Sequence, residues 1–171
     1  MENKNKQYTI FVVDDSDVYR SVLMQALESD YEALKSNIRY KIFGFASGEE
    51  CMAHAHLNPD IMIVDYLLDG NGYHKNMNGL ELLRKIKSKL PRLHVIVLSC
   101  QNNIQVAKDF MREGIAEYIR KEGLGQHKVK QVVADVVQQL QKNYQRRNQF
   151  KYAAVILGLI ALISAIIFSL A

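Results

Sequence analysis

Cysteine is scarce: Cys51 and Cys100 are the only two among 171 residues. Two thiols cannot build a disulfide framework, and neither sits in a CxxC pair, so a thiolate metal site is excluded too. A reducing compartment is the expectation. No apolar run precedes the first strand-like segment, so the start, MENKNKQYTI, does not read as a signal peptide. The five histidines follow no ligand spacing; His54 and His56, two apart on a helical pattern, face different sides. No internal repeat is visible. Charge is missing altogether from the last 20 residues.

What charge there is divides unevenly. Residues 1–119 carry 14 basic and 16 acidic side chains, whereas residues 120–151 carry eight and two. The formal net charge of +4 is therefore a local basic stretch beside an apolar tail. That argues against nucleic acid as a partner and for contact with anionic membrane lipid.

The tail itself, Ala153–Ala171, contains nothing more polar than Ser164 and Ser169. As a helix it would be roughly 28 Å long, close to the ~30 Å hydrocarbon core of a bilayer. Phe150 and Tyr152 stand at its start, with Lys142, Arg146, Arg147 and Lys151 just before. The expectation is a single-pass transmembrane helix over 152–171, inserted as a tail anchor in the cytoplasmic or cell inner membrane. The basic flank predicts that the preceding domain stays on the cytoplasmic side. Gly158 permits close helix pairing, but no GxxxG is present, so a dimer through the tail is left open.

Residues 7–121 alternate short apolar runs with helical patterns. Tyr8–Val13, Tyr40–Phe45, Ile61–Val64, Leu93–Leu98 and Ile115–Ile119 are strand candidates, mostly apolar without strict alternation, as in a parallel sheet covered on both faces. Helices are predicted over Asp17–Ser29 behind an N-capping Ser16, over Gly48–Leu57, over Gly79–Leu90 up to Pro91, and over Asn103–Glu113 up to Gly114. A stripe of Val129, Val132, Val133, Val136, Val137, Leu140 and Tyr144 marks a fifth. This pattern predicts a doubly wound α/β sheet over 1–125, with the fifth helix and a basic linker over 126–151.

In such a sheet ligands bind at the carboxyl ends of the strands. Asp14, Asp15 and Asp17 follow the first apolar run, Asp65 the third, Ser99 and Cys100 the fourth, and Lys121 the fifth. Carboxylates gathered at one edge repel each other unless a cation sits among them, and oxygen ligands of this kind suit Mg2+. A carboxylate in the middle can act as a nucleophile toward phosphorus, with an ammonium and a hydroxyl taking the remaining oxygens.

The motifs FVVDDS (11–16), IMIVDYLL (61–68), NGLELL (78–83), VIVLSC (95–100) and EGIAEYIRK (113–121) resemble those of response-regulator receiver domains of two-component signalling. The resemblance implies a flavodoxin-like fold with strand order 2-1-3-4-5. It implies that Asp65 is the phosphoacceptor, and that Asp14, Asp15, Asp65 and the Leu67 backbone carbonyl hold Mg2+. Lys121 would pair with the phosphoryl oxygens, Ser99 would hydrogen-bond the group and shift toward it, and Tyr118 would turn inward as a switch. A sensor histidine kinase or a histidine phosphotransfer protein would be the donor, and an unidentified output protein would read the result. Such a domain is not an enzyme apart from its own phosphorylation and dephosphorylation.

Three features depart from the family pattern. The proline that usually follows the lysine is Glu122 here, so a trans bond is expected. The loop from Tyr66 to Asn78 is about five residues longer than the pattern leads one to expect, and rich in Gly and Asn as turns are. After residue 125 no DNA-binding or enzymatic output domain is expected. An alternative reading is a membrane-anchored pseudo-receiver, a scaffold that is never phosphorylated. A phosphohydrolase of the aspartate-nucleophile class is disfavoured, because Leu67 stands where that class places a second Asp.

Overall fold

The computed structural model of the chain describes residues 6–30, 38–68, 77–100, 104–122 and 125–170; the side chains of Lys6 and of residues 160–170 are outside that description. Within it the chain alternates β1 (Lys6–Val13), α1 (Asp17–Glu28), β2 (Ile38–Phe45), α2 (Gly48–Ala53), β3 (Ile61–Asp65), α3 (Gly79–Lys89), β4 (His94–Ser99), α4 (Ile104–Arg112), β5 (Glu117–Arg120) and α5 (Gly125–Leu170). The strands form one parallel sheet in the order β2-β1-β3-β4-β5, as expected.

Burial follows the strand order. Every residue of β3 is buried, and all of β4 except His94, because helices cover both faces of the central strands. β2 lies at an edge and begins two residues before its apolar run, with Arg39 and Lys41 exposed on alternate positions. Phe11, Val13, Met62, Val64, Val95 and Val97 join Leu82, Leu83 and Ile86 of α3 and Phe110 of α4 in a core cluster. Burying an aliphatic or aromatic side chain of this size contributes about 1.5–3 kcal/mol each.

Helix ends obey local chemistry. Ser16, Ser47 and Asn78 are N-caps whose side chains accept from Tyr19, Glu50 and Glu81 N–H. The helix expected over Gly48–Leu57 divides at His54: Ala55–Leu57 is a 3-10 turn, closed by Asn58 at φ 49°, a left-handed conformation that asparagine tolerates. Gly114, at φ 72°, turns the chain after α4, where a side chain would be strained.

The chain divides into two units, Met1–Ala134 and Asp135–Ala171. The second consists of the remainder of α5, which runs through the basic stretch without a break to Leu170. Of the predicted stripe on α5, Val129, Val133, Val136 and Val137 are buried, Val132 and Leu140 half-buried and Tyr144 exposed. Among the described residues no helix is long and apolar enough to cross a membrane. The expected transmembrane helix over 152–171 is thus not found among the described residues, where the long C-terminal helix is not apolar enough to span a membrane; the side chains of residues 160–170 of that stretch lie outside the described residues.

Candidate phosphoacceptor site

Three backbone hydrogen bonds carry the ladder one residue beyond the strands. Asp14 N–H bonds Phe45 C=O at 3.1 Å, Tyr66 N–H bonds Leu98 C=O at 2.9 Å, and Lys121 N–H bonds Ser99 C=O at 2.9 Å. With Val13 opposite Val64, and Asp65 opposite Leu98, this register places Asp14, Asp65, Ser99 and Lys121 at the carboxyl edge of the sheet. Apolar runs that end together in register therefore bring together polar residues more than 100 positions apart.

At that edge the Lys121 ammonium donates to Asp14 Oδ2 at 2.7 Å and to Asp65 Oδ2 at 2.6 Å. Asp14 and Asp65 are buried, 1% and 7% exposed, whereas Asp15 is exposed. One carboxylate oxygen from each of Asp14, Asp15 and Asp65 lies within 4.8 Å of the other two. The other Asp14 oxygen, Oδ1, accepts from Ser16 N–H at 3.0 Å, and Asp65 Oδ1 accepts from Leu67 N–H at 3.3 Å. Arg20 of α1 donates to the Asp14 carbonyl and pairs with Asp17, fastening the first turn of the helix to the end of β1.

Charge and burial oppose each other here. Burial raises the Asp65 pKa, Lys121 pulls it down, and Asp14 pushes it up again; the net direction is up. Burial disfavours the Lys121 ammonium, but hydrogen bonds and charge from Asp14 and Asp65 outweigh it and hold its pKa above the usual lysine value. Three carboxylates face one ammonium. This acidic triad is typical of a Mg2+-binding receiver site: hard oxygen donors, close together, with a deficit of positive charge.

Of the remaining expected residues, Ser99 is fully buried at the end of β4 and Leu67 is partly exposed beside Asp65. Tyr118 is half-buried on β5, its ring 6.3 Å from that of Phe110, which in turn meets Tyr66 edge-on at 5.7 Å. No peptide bond among the described residues is cis, so Lys121–Glu122 is trans. Most of the long loop, residues 69–76, lies outside the described residues.

Two neighbours of the site escaped the sequence reading. Gly79 begins α3 so close to β3 that a Cβ there would collide with the Asp65 carbonyl oxygen. Its place in NGLELL, directly after the capping Asn78, was the available signal. Tyr19 lies with its ring centroid 4.4 Å from Lys121 Nζ. Nothing in its local sequence announces that contact.

A family model for the response regulator receiver domain matches residues 10–134. The response regulator protein VraR of Staphylococcus aureus (strain NCTC 8325 / PS 47) is 31% identical over 113 residues, 66% of this chain and 48% of that protein. The DNA-binding transcriptional regulator NtrC of Salmonella typhimurium is 29% identical over 113 residues, covering 66% of this chain and 21% of that protein. The chain spans about half or less of the length of these curated relatives. Among solved structures, a response regulator receiver protein from Pseudomonas putida has 26% identity and a TM-score of 0.59, over 75% of this chain and 97% of that one. A receiver domain protein from Clostridium thermocellum is similar in fold, with 22% identity and a TM-score of 0.64 over 78% and 97%. A receiver domain is not a conventional enzyme. With the family model matched over well over half of its length, this chain belongs to the response regulator receiver domain family.

Proposed function

We propose that the chain is the phosphoacceptor of a two-component phosphorelay and that Asp65 carries the phosphoryl group. The observation that carries this reading is the contact of Lys121 with both Asp65 and Asp14 in a buried, acid-rich pocket. Receiver domains partner with histidine kinases, so the donor is a phosphohistidine on a kinase or a phosphotransfer protein. An Asp65 carboxylate oxygen attacks phosphorus, the P–N bond breaks, and its electron pair leaves with the imidazole, which takes up a proton. Asp65 becomes an acyl phosphate, and water later hydrolyses it.

Each neighbour has a task on this reading. Burial makes the Asp65 carboxylate less comfortable as an anion, which favours bond formation. Lys121 is within one hydrogen bond of Asp65 and takes a phosphoryl oxygen as charge passes to it. Ser99, buried beside it in register, donates its hydroxyl, and Tyr118 follows that shift. Asp14, Asp15, Asp65 and the Leu67 carbonyl would hold Mg2+, which when bound neutralises charge on the transferring group.

The uncharged run after Lys151 and the basic residues before it support attachment to the cytoplasmic face of a membrane, where output proteins would meet the receiver. The competing reading, an unphosphorylated scaffold, has no need of an ammonium between two buried carboxylates. The test is phosphotransfer from acetyl phosphate, with and without Mg2+. The parent chain should be labelled only with Mg2+ and Asp65→Asn not at all; undiminished labelling of Asp65→Asn would overturn the assignment.

A further inference from the structure

Lys121 is held from three sides. Its backbone bonds to Ser99, its ammonium is shared between Asp14 and Asp65, and the ring of Tyr19 covers the nitrogen at 4.4 Å. Where the family motif has a proline after the lysine, this chain has Glu122, whose carboxylate pairs with Arg120 instead. No pyrrolidine ring stiffens the backbone there, so the aim of the lysine depends on what touches its side chain.

Tyr19 is well placed to hold it. Its N–H donates to the Ser16 hydroxyl at 3.3 Å, which fixes it in the first turn of α1, and the adjacent Arg20 is tied to the Asp14 carbonyl. Its own hydroxyl is buried and has no hydrogen-bond partner among the described residues. Hydrogen bonding of the hydroxyl therefore does not account for where the ring lies, which is over the Lys121 ammonium. An aromatic face attracts an ammonium through its quadrupole, more strongly where water is excluded, and the Lys121 side chain is 8% exposed.

The two carboxylates now on Lys121 are also the groups that phosphoacceptor chemistry engages: Asp65 with the phosphoryl group, Asp14 with a cation. The ring is engaged by neither. The geometry points to Tyr19 as a positioning residue that keeps the Lys121 ammonium aimed at Asp65 while Asp14 and Asp65 are otherwise occupied. This inference rests on Asp65 being the phosphoacceptor.

The experiment measures initial rates of Asp65 labelling by acetyl phosphate in the full chain, together with the proton shifts of the Lys121 side chain next to Nζ. Tyr19→Leu and Tyr19→Met remove the ring; Tyr19→Phe keeps it and removes the hydroxyl. The ring-free variants should label roughly five-fold more slowly, as befits a partly buried cation–π contact. They should also lose the upfield ring-current shift at Lys121. Tyr19→Phe should restore both rate and shift, and in a Lys121→Ala background Tyr19→Leu should slow labelling no further. Parental rates in both ring-free variants overturn the inference. So does a Tyr19→Phe as slow as Tyr19→Leu, or an equal loss with and without Lys121. If a ring-free variant fails to fold, the shift at Lys121 in Tyr19→Phe decides: a parental upfield shift supports the contact, and a random-coil value overturns it. A parent chain that takes no label at all overturns the phosphoacceptor reading itself.

Discussion

Lys121→Met keeps most of the side-chain volume at position 121 and removes its charge. The buried carboxylates of Asp14 and Asp65 then face each other without the cation that both now contact. With oxygens within 4.8 Å, their repulsion is about 3 kcal/mol at an effective dielectric constant of about 20. Breaking a buried ion pair from one side costs about 3–5 kcal/mol in general, so the two estimates agree. In chelator at about pH 8 the variant should be roughly 3 kcal/mol less stable, or about 10 °C lower in Tm for a domain of this size. The deficit should depend on pH in a definite direction. Asp65, already raised by burial, takes up a proton at higher pH once Lys121 is gone. A carboxyl whose folded pKa lies above its unfolded value favours the folded state on the acid side, and that advantage is lost as pH rises through the folded pKa. The gap between variant and parent should therefore widen as the pH rises from the ordinary carboxylate range. Urea melts at several pH values measure it. Equal stability in chelator at the upper pH, or a gap that does not change with pH, would refute the electrostatic account of the pocket.

Three further outcomes follow from particular residues. Mg2+ at about 100 times its Kd should stabilise the parent chain by about 2.7 kcal/mol, and Asp15→Ala should show a much smaller gain at the same concentration in thermal melts. His94, whose Nδ1 is buried without a hydrogen-bond partner among the described residues, has its pKa lowered by burial and by nearby Lys87. Below its ordinary 6.5 the unfolded chain binds the proton and the folded chain resists it. Stability should therefore fall as pH drops through that value, and His94→Gln should flatten this part of the profile. If the proposed membrane attachment holds, the full chain should stay with membranes on alkaline washing and a chain truncated after Asn148 should be released; release of the full chain would overturn that proposal.

The fold was legible because four of the five strands are apolar runs closed by a polar residue at the sheet edge. The hydrophobic pattern and the site therefore share their punctuation: Val13 to Asp14, Val64 to Asp65, Leu98 to Ser99. Boundaries were less legible where tertiary contacts decide them. β2 gains Ile38 and Arg39 from pairing with Lys6 and Gln7, although Arg39 is exposed and charged. The division of the second helix at His54 depends on the left-handed Asn58, which a helical pattern through Leu57 hides. Of the site, each strand-end residue could be read from its position. Tyr19 could not, because its value lies in a contact with a residue 102 positions away, on a loop whose path follows from a trans Lys121–Glu122 bond.

The charge balance of the pocket explains why its members belong together. Three carboxylates and one ammonium leave an excess of two negative charges, which a fold tolerates only at a cost unless a divalent cation offsets it. A phosphoryl group on Asp65 would replace the carboxylate's charge by up to two negative charges of its own, so a cation held at the site would still have charge to offset. The local balance at Asp65 changes, however, because the new charge sits farther from the backbone than the old. On the proposed reading Lys121 would move from Asp65 Oδ2 to a phosphoryl oxygen, and its present bond to Asp14 would oppose that move if nothing competed for Asp14. A cation held by Asp14 would compete with the lysine for that carboxylate. On this account metal and phosphoryl group are coupled through the hydrogen bonds of a single ammonium. Asp14, fully buried and bound to that ammonium, is the residue through which the coupling passes, whereas the exposed Asp15 contributes charge without it.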